Sequence, residues 1–226
     1  MERNTRKSLD LRVVASDFSG MKLILNLVPI FCLMLALPFS MIARAGVFDL
    51  PQFVQPGNFA IGVEPELVLT DGAGLAVNAK YTQGVSDLVN VQGLIGTGGG
   101  PRQFRVGANM KFDFFPDIEG QPGIGLAAQA IYYRLSDNAG NNTGMFETTG
   151  IPYVHKTFVS DKNEIDPFLA IPIGLQFADG NYKATSTLSF GSMFRTDNQS
   201  IRYTVEVGVA INNSESYVSG GITYYH

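Results

Sequence analysis

The chain has 226 residues, 45% of them hydrophobic, with a formal net charge of −4, one cysteine and two histidines. The acidic balance argues against a nucleic-acid partner. A single cysteine admits neither an internal disulfide nor a cysteine-built metal centre.

At the N-terminus, Lys22 is followed by an apolar stretch from Leu23 to Leu37, then Pro38, then Ala43, Arg44 and Ala45 ahead of Gly46. This is the charged n-region, h-region and small-x-small cleavage site of a secretory signal peptide. Its apolar core falls short of the about 20 residues that a membrane-spanning helix needs. Met21 opens the signal directly, so translation is expected to start there. Residues 1–45 therefore read as an N-terminal extension and a signal peptide that is removed, 46–57 as a short lead segment, and 58–226 as the folded body. Removal takes six of the sixteen basic residues and three of the twenty acidic ones, leaving a net charge of −7 over 181 residues. Cys32 leaves with the signal. Pro29, Ile30 and Phe31 before it do not form the small-residue motif of a lipid-anchored cysteine.

Beyond residue 58 no stretch carries a helical period, and turn signals recur along the chain. The first strand is expected from Asn58 to Thr70, with Phe59, Ile61, Val63, Leu67 and Leu69 on one face; Asp71 to Gly74 has the composition of a tight hairpin. The second, Leu75 to Gln83, sets Leu75, Val77, Ala79 and Tyr81 against Asn78, Lys80 and Thr82. The third runs from Leu88 to Thr97, and Gly98 to Pro101 turns into the fourth, Arg102 to Phe114. There Phe104, Val106, Ala108, Met110, Phe112 and Phe114 oppose Arg105, Gly107, Asn109, Lys111 and Asp113. Three aromatics on one side and three charges on the other suggest hydrocarbon on one face and a wet or ion-paired lumen on the other.

The fifth strand spans Gly123 to Leu135, and the polar Ser136 to Gly144 is expected to be the longest outer connection. A sixth, Phe146 to Phe158, alternates poorly and is weakened by Pro152. The seventh, Pro167 to Phe177, places Leu169, Ile171, Ile173, Leu175 and Phe177 together. The eighth covers Tyr182 to Phe194. The ninth, Ser200 to Ile211, sets six apolar residues from Ile201 to Ile211 against Arg202, Thr204, Glu206 and Gly208. The tenth is Ser216 to His226. The expected fold is all-β: a closed, antiparallel, up-and-down transmembrane β-barrel of ten strands, or eight if two weak segments are loops. Closure leaves no sheet edge facing lipid. A soluble β-sandwich is the alternative, and it would have to hide ten apolar faces within 181 residues.

In the last strand Val218, Gly220, Ile222, Tyr224 and His226 alternate up to the final residue. This resembles the terminal β-signal of bacterial outer-membrane proteins, although that family ends in Phe, Trp or Tyr where this chain has His226. Together with the signal peptide and the strand pattern, it makes the chain similar to the small outer-membrane barrels of the OmpA, OmpX and OmpW type, at the level of architecture. The resemblance implies a bacterial outer-membrane location and contact with outer-membrane lipid and lipopolysaccharide. It also implies recognition by the barrel-assembly machinery, and no cofactor.

The charged residues are expected to face the lumen, because a Lys or Arg on the lipid face at mid-bilayer costs about 2–4 kcal/mol. Glu64, Glu66, Lys80, Arg105 and Glu206 are placed near mid-height, as an ion-pair cluster across the seam where the last strand meets the first. Lys111 and Arg202 complete the lumen charge set. Two readings stand: a structural plug, or a charged constriction that selects small solutes. Other motifs yield to plainer readings. Gly96 to Gly100 lacks the Lys-Ser/Thr of a phosphate loop, and Asp161, Asn163 and Asp166 lack the spacing of a calcium loop. His155 has no catalytic surroundings, so no enzyme is expected. Short outer connections disfavour an adhesin. Phe48, Leu50, Phe53 and Val54 are expected either to form a strap on the terminal side or to pack at the barrel mouth.

Overall fold

The computed structural model describes residues 53–70, 73–98, 102–136, 142–160, 163–195 and 200–226. The strands, in chain order, are β1 (Phe59–Val68), β2 (Gly74–Ser86), β3 (Val89–Gly98), β4 (Arg102–Phe115), β5 (Gly123–Ser136) and β6 (Asn142–His155), followed by β7 (Phe158–Val159), β8 (Glu164–Ala170), β9 (Ile173–Ala178), β10 (Asn181–Arg195), β11 (Ile201–Asn212) and β12 (Tyr217–Tyr225). They make ten crossings. β8 and β9 are two halves of the seventh, and β7 is a two-residue stub paired only with β8.

The seventh crossing is divided at Pro172, which has no N–H to give to the ladder. The ladder resumes around it: Ile171 N donates to Pro152 O and Thr187 N to Pro172 O, both at 3.0 Å. Successive crossings pair antiparallel, and β12 closes on β1 from Ala60–Tyr225 to Val68–Tyr217. The sheet therefore has no free long edge. Both chain ends of the barrel lie at one rim, the terminal rim; the opposite rim carries the β1–β2, β3–β4, β5–β6, β9–β10 and β11–β12 turns. Asp179 and Gly180, at φ of 50° and 75°, make the two-residue β9–β10 turn of type I′ that matches strand twist.

The outer wall is apolar on every crossing. Ile61, Val63 and Leu67 on β1, Val106 and Met110 on β4, Ile173 and Leu175 on β9, and Val205 and Val209 on β11 are all exposed. A soluble monomer rarely shows a continuous apolar surface beyond a few hundred Å². Among the described strand residues, the outward charge is Arg134, two positions from the end of β5. Aromatic side chains mark both ends of the belt. Tyr132, Phe146, Phe177 and Tyr182 adjoin in register across β5, β6, β9 and β10 near the far rim. Phe59, Tyr81, Phe114, Tyr203 and Tyr224 lie near the terminal rim. Ten residue steps separate Phe104 from Phe114. They cover about 33 Å of strand, which at a tilt of about 40° is roughly 25 Å of height, the band of an outer-membrane barrel.

Two expectations change in detail. The β4 alternation breaks where the register to β5 shifts between Asp113 and Phe115; this bulge leaves Phe114 and Phe115 both facing out. The polar stretch from Ser136 to Gly144 is shorter as a connection than expected, because β5 runs through Ser136 and β6 starts at Asn142. The residues between them lie outside those described. The longer connections, 116–122 and 156–163, are on the terminal rim.

Candidate functional site

Alternation places one side chain in two inside the barrel, and ten converging strands press those side chains together. Glu64 and Glu66 project inward from β1 and Lys80 from β2. Lys80 Nζ donates to Glu64 Oε2, and Ser219 Oγ on β12 donates to Glu64 Oε1 at 2.8 Å. Asn78 Nδ2 donates to the Glu64 carbonyl at 3.2 Å. Arg105 on β4 reaches past β3 and β2: its Nε donates to Asn78 Oδ1 and its Nη2 to Glu66 Oε2 at 2.7 Å.

Gly96 makes that reach possible. It stands on β3 directly between Asn78 and Arg105 in register, and a Cβ there would overlap the Asn78 oxygen and press on the Arg105 side chain. The glycine that resembled part of a phosphate loop is the passage for a guanidinium.

Glu206 extends the network in the other direction. On β11 it lies opposite Ser219, which in turn lies opposite Glu66. Tyr217 Oη donates to Glu206 Oε1 and is 2.9 Å from Ser189 Oγ on β10. Two bonded sets thus meet at the closure seam, Ser189, Tyr217 and Glu206 on β10, β12 and β11, and Ser219, Glu64, Lys80, Asn78, Arg105 and Glu66 on β12, β1, β2 and β4, with Glu206 and Ser219 adjacent in register. Glu66 and Glu206 have 0% of their surface exposed. Burial of charge at this level is tolerated only with such pairing, since isolated ions pay several kcal/mol in desolvation.

The remaining two charges lie nearer the terminal rim. Lys111 is buried level with Asn90 on β3. Arg202 sits in the first turn of pairing on β11, its guanidinium carbon 5.3 Å from the centre of the Tyr225 ring. It belongs to the rim rather than to the mid-height carboxylates. At that rim His155 Nδ1 lies 3.3 Å from Asp166 Oδ1, to which Thr157 Oγ1 donates at 3.1 Å; Arg195 pairs with Glu164. Lys156 Nζ donates to Asp117 Oδ1 at 2.5 Å and to the Ile118 carbonyl at 2.8 Å, and Thr157 N donates to Asp117 Oδ2 at 2.6 Å. These bonds outweigh the burial that would raise the Asp117 pKa and hold it below the ordinary carboxylate value.

Sequence reasoning did not identify the uncharged members of the network or the apolar half of the lumen. Leu94, Ile131, Tyr133, Leu135 and Met145 form one inward cluster, and Ala127, Ile151, Tyr153, Phe168 and Ala170 another. The signal was present in β5, which is apolar on both faces, as a strand buried on both sides is. Tyr217 and Ser219 likewise stand on the inward parity of the last strand. Among the described residues no group of three or more His, Cys, Asp or Glu side chains is placed to hold a metal ion.

No protein-family model matches the chain, and no curated protein matches it. Among the solved structures that match, two are the following. A de novo designed transmembrane β-barrel aligns with TM-score 0.38 and 16% identity, over 77% of this chain and 100% of its own. An outer membrane channel from Pseudomonas putida aligns with TM-score 0.48 and 9% identity, over 80% of this chain and 100% of its own. Likeness at this level carries no statement about function.

Proposed function

We propose that the chain is an integral outer-membrane β-barrel whose lumen is plugged by its own side chains and whose role is structural support of the envelope. The observation that carries the plug is the absence of accessible surface on Glu66, Asn78, Asn90, Ser189 and Glu206, inward residues of β1, β2, β3, β10 and β11. The void between Glu64, Lys80, Thr204 and Thr223 has no room for a water molecule. The apolar outer belt with its two aromatic ends supports a lipid environment, where outer-membrane lipid and lipopolysaccharide are the contacting molecules. The signal-peptide layout and the outward row Val218, Gly220, Ile222, Tyr224 and His226 support export and insertion by the barrel-assembly machinery. Similarity to the OmpA and OmpX type stays architectural, since those barrels have about eight strands and this one has ten crossings.

One observation favours a narrow channel for small solutes instead. Both amide atoms of Asn109, Nε2 of Gln129 and Nε2 of Gln176 are buried in the lumen without a partner among the described residues, and buried polar groups of this kind are where proteins hold water. Planar-bilayer recording of the folded protein separates the two. The plug predicts no unitary conductance, with Glu64→Ala and Lys80→Ala lowering thermal stability alone. A steady conductance whose ion selectivity changes in Lys80→Ala would replace the plug with a pore.

A further inference from the structure

Among residues 53–58, Val54 enters the terminal mouth of the barrel. Val54 has 3% of its surface exposed, whereas the next residue, Gln55, is exposed. Asn90, inward on β3 and 0% exposed, holds it by the backbone. With its amide nitrogen toward the strap, Asn90 donates to the Val54 carbonyl at 3.0 Å and accepts from the Val54 N–H at 3.1 Å. An amide that pairs with both the N–H and the C=O of one residue mimics the ladder of a neighbouring strand. Among the described residues the Asn90 side chain has no other hydrogen-bond partner, so its burial is compensated by the strap.

β2 is shaped for the same segment. Its pairing to β3 shifts between Gly84 and Ser86, a bulge that bends the strand end. A Cβ on Gly84 would overlap the carbonyl oxygens of Gln55 and Val54. Gly57 N donates to Gly84 O at 3.2 Å and Gly84 N to Asn58 O at 3.1 Å, and Gln83 Nε2 donates to Asn58 O at 2.8 Å. These bonds fix where the strap leaves the mouth.

We infer that Asn90 and Gly84 form a binding site for extended peptide backbone inside the terminal mouth, that its occupant is the chain's own 53–58 strap, and that the strap is a displaceable cork over the lumen. The site reads backbone through Asn90 and admits a small apolar side chain at the position of Val54. The inference rests on the barrel fold and not on the envelope role.

Thiol labelling tests it on the folded chain in detergent with its one cysteine, Cys32, replaced by Ser. Val54→Cys is expected to react with N-ethylmaleimide ~tenfold or more slower than Gln55→Cys, as a residue reached only by local opening does. Adding Asn90→Ala, or Gly84→Ala, is expected to bring labelling of Val54→Cys close to the Gln55→Cys rate while heat-modifiable gel migration is retained. A Gln92→Cys probe deeper in the lumen is expected to become reactive in the same backgrounds. Equal rates at positions 54 and 55 without a second change would overturn the strap site, as would protection that survives Asn90→Ala. A Gln92→Cys that stays silent after the strap is released would overturn the cork. If Gly84→Ala does not fold, Asn90→Ala decides, because it removes two hydrogen bonds and adds no atoms.

Discussion

Arg105 shows how tightly a lumen residue can be specified. Its guanidinium is bonded to Glu66 and Asn78, and both partners are fully buried. Removing either member takes a charged partner from a buried group, so Arg105→Ala and Glu66→Ala are each expected to cost about 3–5 kcal/mol. The double variant is expected to cost less than the sum, because it removes both charges together. Urea unfolding of the four proteins measures this; additive losses would show that the pair is not coupled. Asp117 makes a prediction of opposite accessibility. Its carboxyl is held below its ordinary value of 3.8 by Lys156 and Thr157. A depressed folded value means that its stabilisation is complete above the unfolded value and is lost as pH falls through the folded one. The difference in unfolding midpoint between the parent protein and Asp117→Asn should therefore be constant at pH 5–7, on the order of the neutral range, and shrink toward zero under stronger acid. A difference that persists unchanged in strong acid would remove the carboxylate from the account of this rim.

At the level of the strand, the two faces answer to different solvents. Ala108 is at the middle of β4 and faces out, whereas Arg105 and Lys111 on the same strand face in. In a bilayer, Ala108→Lys should destabilise the folded barrel by about 2–4 kcal/mol, and a lysine at Glu119, in the β4–β5 turn, should cost close to nothing. Unfolding from lipid vesicles measures both, and equal effects would contradict a lipid-facing wall. The strands also show how local irregularities are put to use. Pro172 divides the seventh crossing without opening the wall, since Ile171 and Thr187 complete the ladder around it. The Gly84 bulge admits the strap, and the Asp113 bulge turns an extra phenylalanine outward at the rim.

For the whole molecule, the lumen divides into two unlike halves. Ion pairs and hydrogen-bonded carboxylates gather on β1, β2, β4, β11 and β12, and two apolar clusters stand on β3, β5, β6 and β8 among the buried polar side chains of Gln129, Glu147 and Gln176. The polar half carries little net hydrophobic gain and a strict geometric demand, which sets register across the seam. The apolar half packs as the core of a soluble protein does. Among the described residues, Glu66 and Glu206 expose no surface at the level of the seam, which supports the plugged lumen proposed above. Bilayer recordings of the intact protein test the proposed plug, which predicts no unitary conductance.

Strand number, face and order were legible in the chain because a two-residue period records which side each residue takes, and a one-residue slip would reverse every face. Glu64, Glu66, Lys80, Arg105 and Glu206 could be named as inward for the same reason. Their pairing could not, because parity says nothing of height around a tilted and closed sheet. Arg105 meets Glu66 from three strands away only because Gly96 leaves the way clear, and Arg202 falls at the rim because β11 begins at Ile201. Packing of Val54 at the mouth was one of two expected placements, but its partner Asn90 was hidden. Their pairing depends on the mouth that forms when β12 reaches β1, and no local pattern in the lead segment encodes a wall that exists only after closure.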